Sequence, residues 1–126
     1  MQATILFGHG SSDPAWRIQI DKVAQCMRDF DPQAVVRCAF LERTAPDLAT
    51  SVDELVQLGV RQITIVPMFL GLGRHAREDM PLLAAQMQAA YPDVRFWLKP
   101  SVGEEPAVIE LLARMARPDA AAVASL

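Results

Sequence analysis

Short runs rich in Ile, Val and Phe alternate four times with apolar residues at helical spacing, and this alternation constrains the fold more than any other feature of the chain. Repeated strand–helix units form a parallel sheet with helices packed on its faces. Strands are expected at about 2–8, 34–40, 62–69 and 94–98. Helices are expected from Pro14 to Phe30, from Pro46-Asp47 to just before Gly59, from about Asp79-Met80-Pro81 to Ala90, and onward from Glu105-Pro106. The fold class that follows is α/β, a three-layer sandwich with a four-stranded parallel sheet in the order 2-1-3-4. Its crossovers are expected to be right-handed.

Local signals sharpen these elements. Asp13 reads as an N-cap with Pro14 at the first helical position. Trp16, Ile20, Val23, Met27 and Phe30 recur at spacings of four and three, which marks one face of the first helix. The second helix carries Leu48, Val52, Leu55 and Val56 on one side and ends at Gly59 as a left-handed cap would end it. Pro67 is expected to stop the ladder of the third strand. The last helix presents Val108, Leu111, Leu112 and Met115.

At 126 residues the chain fits one domain, over 1–116, followed by an alanine-rich tail at 117–126. A domain of that size buries a core without metal or disulfide staples. The composition, 52% hydrophobic and 21% charged, is that of a folded domain. A net charge of −3, from 15 acidic against 12 basic residues, offers no basic stripe for nucleic acid or an anionic membrane. No apolar run reaches the length of a membrane span, and Met1 leads directly into a strand rather than into a secretory signal. Cys26 and Cys38 stand apart and read as buried thiols, so a cytoplasmic location is expected. There is no Walker loop, no Gly-x-Gly-x-x-Gly and no Gly-x-Ser-x-Gly, so nucleotide and acyl chemistry have no support.

Chemistry concentrates on the only two histidines. His9 follows the first strand in Gly8-His9-Gly10-Ser11-Ser12-Asp13, and His75 follows the third in Gly71-Leu72-Gly73-Arg74-His75-Ala76-Arg77. In the order 2-1-3-4 those strands are neighbours, and ligands of open α/β sheets bind beyond the carboxyl ends of strands at such a switch point. Glu42 leaves the second strand at the same edge. Two imidazoles and a carboxylate make a ligand set for a divalent metal with exchangeable positions left open. The blander alternatives are a turn histidine in each case and a solvated loop carboxylate. Arg43, Arg74 and Arg77 fall near the same mouth, where they suit substrate carboxylates or form only exposed ion pairs. Met68, Phe69, Leu70 and Leu72 form an apolar lip fitting a flat hydrophobic ring.

Three segments carry a resemblance in their order along the chain: Leu6-Phe7-Gly8-His9-Gly10-Ser11, Ala39-Phe40-Leu41-Glu42, and Val66 to Leu70 followed by Gly73 to Pro81. Together they resemble the small CbiX type of sirohydrochlorin chelatase. The resemblance implies a class II chelatase-like fold and ATP-independent insertion of a divalent metal into sirohydrochlorin, for cobalamin, siroheme or a nickel tetrapyrrole. Cobalt is the favoured metal substrate, with iron and nickel as alternatives, and no nucleotide takes part. It implies a homodimer, with His9 and His75 binding metal and accepting pyrrole protons, and Glu42 reaching the metal. Ser11, Ser12, Arg43, Arg74 and Arg77 become the candidate substrate contacts. Ser12 departs from the arginine that many members carry there, and the chain lacks the histidine-rich tract of some relatives. The rival readings are a metal or tetrapyrrole carrier that uses the same cleft without turnover, and a histidine phosphatase, against which Gly8 stands where those enzymes carry arginine.

Overall fold

The computed structural model describes residues 1–118, so most of the expected tail lies outside the described residues. Strands β1 (Gln2–Gly8), β2 (Val36–Phe40), β3 (Gln62–Pro67) and β4 (Arg95–Leu98) form one sheet in the order β2-β1-β3-β4. Every pairing is parallel, with Gly8 opposite Phe40 and Phe7 opposite Pro67. Helices α1 (Ile18–Phe30), α2 (Leu48–Gln57), α3 (Arg74–Ala90) and α4 (Pro106–Met115) follow the strands in turn. The expected strand order and βα alternation are thus the observed ones.

Side-chain alternation along the strands sorts the core into two unequal halves. Ala3, Ile5 and Phe7 of β1 share one face with Ile63 and Ile65 of β3, where they meet Leu48, Val52 and Leu55 of α2 and Met80 of α3. Leu6 points the other way and joins Val36 and Phe40 of β2 with Ile20 and Ala24 of α1. At about 1.5–3 kcal/mol for each fully buried large apolar side chain, the first half dominates stability.

Several boundaries differ from the sequence expectation. Residues Pro14–Arg17 form a 3₁₀ turn before α1, with Asp13 capping the Ala15 amide. The apolar stripe of the first helix is only partly used. Ile20 and Ala24 are buried and Met27 is half-buried, whereas Trp16 and Val23 are exposed and Phe30 is 82% exposed, because among the described residues that helix packs on the sheet through one narrow face. Helix α3 begins at Arg74 instead of Asp79, which places Pro81 inside the helix. Gly73 is extended (φ −66°, ψ 164°) and acts as the N-cap, and the Arg77 amide closes the first turn on the Gly73 carbonyl at 3.1 Å. Burial of Met80 against the core favours the longer helix over the local preference of proline for a first turn.

Gly59, at φ 96°, ends α2 as expected. Pro67 closes β3, although the Met68 amide still donates to the Phe7 carbonyl at 2.8 Å. Cys26 is exposed rather than buried, and Cys38 is half-buried. Burial pushes the Cys38 thiol pKa up, and the carboxylate of Asp21 adds to the effect. Helix α4 contributes no buried residue, and Ile109, Leu111, Leu112 and Met115 are all exposed. Among the described residues no helix is long and apolar enough to cross a membrane.

Candidate functional site

The site begins where the β1–β2 ladder runs past its strands. The Leu41 amide donates to the Gly8 carbonyl at 2.9 Å, and the Glu42 amide donates to the His9 carbonyl at 3.0 Å. These bonds carry parallel pairing one step into the loops and bring residues 33 positions apart side by side. The Glu42 carboxylate then accepts from His9 Nε2 at 2.9 Å, with each side chain about 51% exposed. An ion pair so open contributes about 0–1 kcal/mol. The pair therefore does not hold the loops together; the loops hold the pair.

Gly10 makes the approach of the loops possible. Its φ is 102°, and a Cβ there would lie 1.6 Å from the Glu42 carbonyl oxygen. Opposite it, Arg43 adopts φ 62°, a left-handed conformation that costs a non-glycine residue about 1–2 kcal/mol. Thr44 closes the far end of the loop pair. Its Oγ1 accepts from the Ser11 amide at 2.9 Å and donates to the Ser11 carbonyl at 2.8 Å.

Further bonds brace this corner. Arg17 grips Asp21 through two hydrogen bonds of 2.9 and 3.0 Å, reaches the Ala45 carbonyl at 3.3 Å and lies 4.7 Å above the Phe40 ring. The Asp21 hydrogen bonds keep the guanidinium pKa above its ordinary value. Asp47 caps α2 by accepting from the Thr50 amide at 2.8 Å, and the bonds from Thr50 hold its carboxyl below the usual carboxylate range.

The third wall belongs to the β3–α3 connection. Phe69 stands edge-on to the His9 ring with centroids 6.3 Å apart. Its carbonyl accepts from both the Ser101 hydroxyl and the Gly103 amide, the latter at 2.9 Å. A Cβ on Gly103 would fall 1.7 Å from the Leu70 oxygen, so the lip and the 3₁₀ segment Val102–Glu104 touch backbone to backbone. Beyond Phe69 the chain opens out. Leu70 is 72% exposed, and His75 is exposed in the first turn of α3.

The structure thus unites His9, Glu42 and Phe69. It does not bring His75 into a third ligand position: among the described residues no three His, Cys, Asp or Glu side chains gather closely enough to hold a metal. Ser11 contributes its backbone to Thr44, and its hydroxyl accepts from the Asp13 amide at 3.1 Å. Arg74 pairs with Glu78 at 3.2 Å on the exposed surface of α3, while Ser12, Arg43 and Arg77 are exposed. Thr44, Ser101 and Gly103 went unmarked in the sequence, which carries no local sign of a hydrogen bond to a distant loop.

A parallel sheet in this order, with an imidazole–carboxylate pair at its carboxyl edge, has the chelatase-like α/β architecture. The chain belongs to the CbiX family, whose profile matches residues 3–118. It is similar to a CbiX protein of cobalamin biosynthesis from Marinobacter aquaeolei VT8, at 30% identity and TM-score 0.79 over 91% of this chain and 93% of that one. It also resembles the sirohydrochlorin chelatase SirB of Bacillus subtilis subspecies spizizenii, solved with cobalt, at 26% identity and TM-score 0.74 over 90% of this chain and 49% of that one. A sirohydrochlorin cobaltochelatase of Methanopyrus kandleri is 33% identical over 81 residues, or 64% of this chain. The matched region spans 57% of that relative's length.

Proposed function

We propose that the protein inserts a divalent metal into sirohydrochlorin without ATP, with cobalt as the favoured metal and iron or nickel as alternatives. The observation that carries this reading is the His9–Glu42 pair, held at 2.9 Å on the carboxyl edge of the sheet. Insertion requires a cation held by a few exchangeable ligands and a base for the two protons that leave the pyrrole nitrogens. An imidazole and a carboxylate together suit cobalt, nickel or iron. Nε2 of His9 donates its hydrogen to Glu42, and a cation would take that place as the proton shifts to Nδ1 of the same ring.

His75, exposed in the first turn of α3, serves with His9 as ligand and proton acceptor once the substrate draws the two together. Neutral imidazole is suited to that role near pH 7. The lip of Phe69, Leu70 and Leu72 forms the apolar wall for the macrocycle. Ser11, Ser12, Arg43, Arg74 and Arg77 are the contacts for its acidic substituents. Arg74 leaves Glu78 at little cost, because an exposed pair of this kind is worth under about 1 kcal/mol.

The protein works as a homodimer in the cytoplasm, where Cys26 and Cys38 remain free thiols. The uncovered residues Ile109, Leu112 and Met115 of α4 support a second copy as the partner, as does the match to about half of the SirB chain. Light scattering on the purified protein should give twice the chain mass, and Leu112→Glu should lower it.

The deciding experiment is an anaerobic absorbance assay of sirohydrochlorin with divalent cobalt, iron or nickel at substoichiometric protein. Multiple turnovers are expected, and His9→Ala and His75→Ala should each remove most of the rate while leaving the fold intact. Spectral change that stops at one equivalent of protein would instead indicate a carrier. Wild-type turnover by both variants would sink the assignment.

A further inference from the structure

The two loops that carry His9 and Glu42 are stapled at both ends. At the strand end the bonds are Leu41 to Gly8 and Glu42 to His9, backbone to backbone. At the far end a single hydroxyl does the equivalent work. Thr44 Oγ1 receives the Ser11 amide hydrogen and gives its own hydrogen to the Ser11 carbonyl, which satisfies donor and acceptor on one residue. The Thr44 amide turns back to the Glu42 carbonyl at 2.8 Å, so the same residue anchors the loop that bears the carboxylate. Between the two staples lie Gly10 at φ 102° and Arg43 at φ 62°. A non-glycine left-handed residue persists only where its surroundings hold it. Thr44 is the residue next to Arg43 that supplies such a hold.

We infer that Thr44 is a positioning residue, whose hydroxyl fixes the spacing of the His9–Glu42 pair and thereby its readiness for a divalent cation. The cation part of this inference rests on the metal-insertion reading; the geometric part does not. Partners that orient metal ligands typically affect affinity or activity by about 10–100-fold.

The test compares Thr44→Ser, Thr44→Val and Thr44→Ala in the full chain. Titration with cobalt(II) alone is expected to show Thr44→Ser close to wild type, with Thr44→Val and Thr44→Ala weaker by about ten- to a hundredfold. A merely structural role would lower the melting temperature of Thr44→Val without changing the cobalt affinity of the folded protein. Serine and valine would then bind cobalt alike. A metal-free readout separates the two levels of the inference. The His9 Nε2–H signal in nitrogen-detected NMR should persist in wild type and Thr44→Ser and shift or broaden in Thr44→Val and Thr44→Ala. If that pattern holds but wild type does not insert cobalt, the positioning role stands and the chelatase reading falls. Unchanged His9 signals and cobalt affinity in Thr44→Val and Thr44→Ala would overturn the inference, as would a serine variant as weak as valine.

Discussion

The two sides of the site are built differently. On the β1–β2 side, His9 and Glu42 sit on loops joined by backbone bonds at Gly8–Leu41 and His9–Glu42 and by the Thr44 hydroxyl at Ser11. On the β3–α3 side, the Phe69 carbonyl is held by Ser101 and Gly103 and Leu72 packs half-buried on the core, while Leu70, Gly71 and Gly73 to His75 are exposed. A braced half and a more exposed half suit the proposed insertion, which must grip a small cation and admit a broad macrocycle. For that proposed reaction, hydrogen bonds already in place spare the cost of ordering His9 and Glu42.

The sharpest way to break this contrast is Gly10→Ala. The added methyl would overlap the Glu42 carbonyl at a left-handed φ, so the two loops must part. A shift of about 1 Å in a reacting geometry can cost about a hundredfold, and we expect a loss of that order in the insertion rate. Glu42→Gln sharpens the comparison more gently. The amide still accepts from His9 but carries no charge, so cobalt affinity should fall by about tenfold or more while the melting temperature stays near wild type.

On the β3–α3 side, two glycines separate anchor from opening. Gly103→Ala must push Leu70 away from Val102–Glu104 and should slow insertion by about tenfold, whereas Gly71→Ala meets nothing within 4 Å and should leave the rate unchanged. Equal rates in those two variants would mean that the anchored lip has no part in function.

Asp47→Ala, at the start of α2, should have the smallest effect, about 1 kcal/mol of stability in urea unfolding at neutral pH. The folded carboxyl sits below its usual pKa. Its contribution is therefore full above the unfolded pKa and disappears as pH falls through the folded value, so variant and wild type should converge in acid.

Much of the site was legible from the sequence because strand ends are legible. Gly8 and Phe40 close runs of apolar residues, so His9 and Glu42 fall beyond neighbouring ends of one sheet edge. The arginines show where that reasoning stops. Arg74 lies at the mouth by chain position, yet its guanidinium pairs with Glu78 along its own helix, which only an earlier start for α3 allows. The first-helix stripe teaches the same lesson, since Phe30 has the right spacing for burial but no layer above it among the described residues.

What the sequence alone determined is the βα order and the sheet topology. These follow from the spacing of apolar residues, a local property. Only the tertiary structure decided that Thr44 clasps Ser11, that Ser101 and Gly103 hold Phe69, and that among the described residues no third ligand joins His9 and Glu42. Each of those depends on contacts, or their absence, between segments far apart in the chain. A hydroxyl or a glycine carries no periodicity to announce its distant partner.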